Sequence, residues 1–107
     1  MASRLRFNAS WVGPKPDGTN TSREAVGFRL RLTREASGFS QGEFARLCRI
    51  GRTALSNYEA GRRRIAIPAA LRIVKQTGVR LAWIYHGDRR FLPNVLSKRV
   101  VRLLREE

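Results

Sequence analysis

Residues 40–62, reading SQGEFARLCRIGRTALSNYEAGR, hold two helix-length patterns with only about three residues between them, the loop length of a compact two-helix unit. Ser40 stands where an N-cap belongs, and Glu43, three positions on, completes a capping box with the Ser40 backbone. Phe44, Leu47 and Cys48 then follow at i, i+3 and i+4, the spacing of a core-facing helical stripe. The second pattern, from about 52 to 60, lies between Gly51 and Gly61 and carries Ala54, Leu55 and Tyr58 on one face. Two short helices meeting at a steep angle require a small side chain where their backbones approach, and Ala45 stands in the middle of the first. Phe44, Cys48, Ile50, Leu55 and Tyr58 fill the wedge, and Arg52, Thr53, Ser56 and Asn57 are left as a polar outward face.

The rest of the chain reads as further helices. Ser22 caps a first helix carrying Ala25, Val26, Phe28, Leu30, Leu32 and Ala36 up to Gly38. Pro68 suits the first turn of a fourth helix, whose Leu71, Ile73 and Val74 form an apolar side ending at Gly78. A short fifth, LAWIYHG, places Trp83 and Ile84 in the core, and a last stretch after Pro93 carries Leu96, Val100, Leu103 and Leu104 at i, i+4, i+7 and i+8. Residues 1–21, with Gly13, Pro14, Pro16 and Gly18, show no sustained period and read as a flexible basic arm. The expected class is all-α, with a domain at 22–88 and a C-terminal helix at 89–107.

A chain of 107 residues has room for one modest core. Its formal charge of +14 and pI near 11.8 imply strong self-repulsion unless a polyanion neutralises it, and nucleic acid is the natural partner. Of the 22 basic residues 19 are Arg, a planar fork suited to phosphates and guanine edges, although such a bias also follows from a GC-rich genome. Other chemistries find no residues to carry them. Cys48, the single cysteine, has no disulfide partner and reads as a small buried hydrophobe; His86 has no ligand cluster around it, so neither metal nor cofactor is expected. Ser22, Ser40 and Ser56 lack a base and serve as caps or contacts, so no catalysis is expected. Trp83 reads as core rather than as a base-stacking platform. No apolar run of about 18 residues and no signal-peptide core is present, which points to a cytoplasmic protein without a membrane partner.

Gly38, Phe39, Ser40 and Gln41, then Ala45, then the run Leu55–Gly61, and finally Gly78, Val79, Leu81, Ala82, Trp83, Ile84 and Gly87 resemble the lambda and 434 repressor and Cro type of helix-turn-helix, the XRE family, without a gap over residues 24–88. The resemblance implies a five-helix lambda-repressor-like domain, here with an N-terminal arm and an extra C-terminal helix. It implies that Gln41 meets a phosphate, that Arg52, Thr53, Ser56 and Asn57 face the major groove, and that Arg34 and Glu59 form a partly buried salt bridge. Ser40, Arg49 and the run Arg62, Arg63, Arg64 are expected to join Gln41 on the DNA backbone. The sequence departs from the family at Arg49, where the turn usually has Gly; either Arg49 takes the left-handed conformation or the turn shifts toward Gly51.

The function so implied is a sequence-specific regulator of double-stranded DNA, a repressor on a palindromic operator bound as a homodimer. The alternative is an antitoxin that neutralises a toxin partner and represses its own operon with the same motif. The stripe Phe28, Leu32 on helix 1 and the C-terminal stripe Leu96, Val100, Leu103, Leu104 should bury each other, within one chain or between two; the second arrangement makes residues 91–104 the main dimer element. The arm residues Arg4, Arg6 and Lys15 could enter a minor groove.

Overall fold

The computed structural model describes residues 21–90 and 92–105, which form six α-helices and no strand. They are α1 (Arg23–Ala36), α2 (Gln41–Cys48), α3 (Arg52–Glu59), α4 (Ile67–Thr77), α5 (Leu81–His86) and α6 (Asn94–Arg105). The all-α expectation holds, while the reading of the N-terminal arm, including Arg4, Arg6 and Lys15, lies outside the described residues.

Local chemistry sets the helix ends. The Ser22 hydroxyl accepts the Ala25 N–H to start α1, and Pro68 falls in the first turn of α4. Gly78 and Gly87 end α4 and α5 in the left-handed conformation.

α1 is the central element, packed against α3, α5 and α6. Its buried residues Val26, Phe28, Leu30, Leu32 and Ala36 therefore surround the helix instead of lining one side. Trp83, buried on α5, donates its indole N–H to Thr33 Oγ1 at 2.8 Å, and Thr33 in turn donates to the Arg29 carbonyl at 2.8 Å.

Three sequence expectations need correction. Leu96, Val100 and Leu103 are not left over for a second chain: they are buried in the same apolar cluster as α1, Leu104 packs against its edge, and Arg99 Nη1 donates to the Ala36 carbonyl at 3.0 Å. The stripe is thus taken up within one chain, the first of the two arrangements the sequence left open, and residues 92–105 share the core. Leu47 is 39% exposed, since it stands to one side of the buried row Phe44, Ala45, Cys48. Leu71 is 49% exposed because it lies about 200° around the helix from Ile73, too far for both to face one core.

Candidate nucleic-acid interface

α3 is held from behind. Leu55 is fully buried, Glu59 is buried, and Ala54 and Tyr58 pack on the core. Helical geometry then turns Arg52 and Ser56, and beside them Thr53 and Asn57, to the opposite side as two i, i+4 rows. Arg52 and Thr53 are exposed, and Ser56 and Asn57 are half-buried. The close seat of α3 depends on Gly27 of α1, where a Cβ would collide with the backbone carbonyl oxygens of Tyr58 and Glu59. Any side chain at that position would push α3 off α1 and re-aim its outward face.

The turn before α3 is set by Arg49. It adopts φ 57° and ψ 45°, the left-handed conformation, and caps α2, while Gly51 stays extended at φ −60° as the N-cap of α3. The turn keeps its place, with Arg49 accepting a conformation that costs a non-glycine residue about 1 kcal/mol. Its carbonyl oxygen accepts from Arg72 Nη1 at 3.1 Å, tying the turn to α4. At the other end of α2 the capping box closes: Ser40 Oγ accepts the Glu43 N–H at 3.2 Å, and the Glu43 carboxylate accepts the Ser40 N–H at 2.9 Å. That backbone hydrogen bond holds the Glu43 carboxyl below the usual carboxylate range. Ser40 keeps its O–H as a donor to an outside group.

Behind the two helices lies an ion-pair network. Arg34 grips Glu59 bidentately, with Nε to Oε2 at 2.8 Å and Nη2 to Oε1 at 3.1 Å, and the two side chains are 10% and 4% exposed. Arg34 Nη1 also donates to the Phe39 carbonyl at 2.9 Å, so one guanidinium joins α1, α3 and the loop entering α2. Gln41 Nε2 donates to Glu59 Oε1 at 3.1 Å. Arg31, Arg34, Gln41, Ser56, Glu59 and Ala60 line an open cleft of about 270 Å³ where α1, α2 and α3 converge.

The loop after α3 is basic and partly pre-arranged. Asn57 Oδ1 accepts from Arg62 Nε at 2.9 Å, and the Asn57 carbonyl accepts the Arg62 N–H at 3.0 Å, so Asn57 positions Arg62 through both backbone and side chain. Arg64 Nη1 donates to the Thr21 carbonyl at 2.8 Å, which turns that guanidinium toward the chain entering α1, while Arg63 is exposed. Burial pushes the Cys48 thiol up to about 11, so it remains protonated at neutral pH.

The structure thus brings Arg52, Thr53, Ser56 and Asn57 together with Arg62, and Arg34 with Glu59 and Gln41, whereas Arg49 stands at the far end of α2 from Ser40 and Gln41. Sequence reasoning missed Gly27, Arg31 and Arg72. A glycine inside an otherwise helical pattern was a readable signal for Gly27, because such a residue costs about 1 kcal/mol relative to Ala without a packing reason. Arg72 offered none, since its bond to Arg49 spans 23 residues and depends on how α4 lies on α2.

Among the described residues no helix is long and apolar enough to cross a membrane. Comparison with curated proteins and with solved structures returns no match. A family model described as helix-turn-helix, of the Cro/C1 or XRE type, matches residues 30–84, just over half of the chain and the whole of the segment from mid-α1 to α5. Its members bind DNA and are not enzymes. With two short helices at a tight turn, an outward polar face on the second and a basic loop after it, the chain belongs to the Cro/C1-type helix-turn-helix family of DNA-binding proteins.

Proposed function

We propose that the protein is a sequence-specific transcriptional repressor that binds a two-fold operator as a homodimer. The observation that carries this reading is the split of α3 into a locked inner face, Leu55 and Glu59, and an outward face of Arg52, Thr53, Ser56 and Asn57. Arg52 suits O6 and N7 of guanine, Thr53 offers a methyl to thymine, and Asn57 presents its amide N–H groups to a base edge or phosphate. Ser40 and Gln41 at the start of α2, Arg49 at the turn and Arg62, Arg63 and Arg64 after α3 supply donors for the DNA backbone.

A single helix-turn-helix reads only a few base pairs, which is the argument for two copies on inverted half-sites. The α6 stripe is covered within one chain, which argues for a pairing surface elsewhere. A protein seated across a promoter excludes polymerase with no further chemistry, and that favours repression. Selection of bound duplexes from a random pool tests the reading. Enriched sites should contain inverted half-sites whose centres lie about 10 base pairs, one helical turn, or a multiple of it apart. A pool that shows no enrichment, or only single half-sites, contradicts it.

A further inference from the structure

Between the C-terminal end of α2 and the outer side of α4 lies a cleft of about 330 Å³ lined by Leu47, Cys48, Arg49, Arg72, Lys75 and Gln76. Three of these six side chains are cations and none is a carboxylate, so the side chains of the cleft concentrate positive charge, and Arg72 covers the Arg49 carbonyl at the C-terminal end of α2. The buried Cys48 thiol is protonated and adds no negative charge. Arg72 is braced by its bond to the Arg49 carbonyl, which fixes one edge of its guanidinium and leaves other N–H donors of a rigid fork for a ligand. Arg49 is the one described non-glycine residue at positive φ, in a conformation that glycine would adopt without strain. A strained position that carries an arginine points to a use for that side chain.

We propose that this cleft is a binding site for a phosphate group, held by Arg49, Arg72 and Lys75 and supplied by a DNA phosphodiester or by a free phosphorylated small molecule. Planar guanidinium forks pair bidentately with phosphate oxygens, and Lys75 adds a point charge. Because Arg49 both lines the cleft and forms the turn into α3, an occupied cleft braces the element that aims α3. The site does not depend on base reading by α3.

The test is a titration of the isotopically labelled full chain with inorganic phosphate, replacing chloride at constant ionic strength and followed by two-dimensional NMR. Saturable shifts should be confined to Arg49, Arg72, Lys75 and Gln76, and Arg72→Gln should weaken them about tenfold. Arg49→Gly, which relaxes the turn and so keeps the fold, should weaken them as well. A second arm adds random-sequence duplex DNA. If DNA moves the same signals and phosphate no longer acts on the complex, the phosphodiester is the source; if phosphate still shifts them on DNA-bound protein, the source is a free phosphate. Shifts spread evenly over the surface arginines, shifts indifferent to both variants, or none with either probe overturn the proposal. Arg52→Ala should leave the phosphate titration unchanged, so that failure of base reading is seen separately.

Discussion

Replacing the Glu59 carboxylate by an amide of the same shape leaves the Arg34 guanidinium buried without its main counter-charge. Removing one partner of such a pair costs about 3 to 5 kcal/mol, and Glu59→Gln should fall at the low end because Glu35 Oε2 lies 3.5 Å from Arg34 Nη2. Urea denaturation checks this, and an unchanged midpoint would mean that the pair does not hold α3 to α1. At this scale the legible features were those fixed by type and place: a carboxylate and an arginine at family positions, a serine followed by Glu43. The share of Gln41 in Glu59 was not legible, since it depends on the angle at which α2 meets α3. The choice between a left-handed Arg49 and a shifted turn was also open, because both keep the chain direction and only the backbone angles separate them.

Helix ends were readable because caps are local, as Ser22, the Ser40 and Glu43 box and Gly78 show. What a stripe packs against was not, because Leu96, Val100 and Leu103 tell that α6 has an apolar face and say nothing of whose surface covers it. The buried ring around α1 answers that question within one chain. Leu96→Ala should therefore lower stability by about 3 kcal/mol through lost burial and a residual cavity. The loss should be the same at every protein concentration, as befits packing within a protomer. A loss that grows on dilution, measured by thermal melts over a concentration series, would return α6 to an interface between chains.

At the scale of the whole molecule, the charge of +14 predicts strong non-specific attraction to DNA on which base reading is superimposed. Arg63, exposed in the loop after α3, belongs to the first contribution. Arg63→Gln should weaken binding to all duplexes similarly and flatten the log–log salt dependence by about one unit. An unchanged slope, measured by fluorescence anisotropy across a salt series, would place this guanidinium away from the phosphates. Arg52 belongs to the second contribution, and it carries the central claim that α3 reads sequence. The direct measurement is the affinity ratio between a selected site and a scrambled duplex at one salt concentration, for the wild-type chain and Arg52→Ala. The variant should lose about 1 to 3 kcal/mol on the selected site, little beyond the general charge effect on the scrambled one, and its discrimination at one base pair. Equal losses on both duplexes, with the ratio intact, would contradict the account.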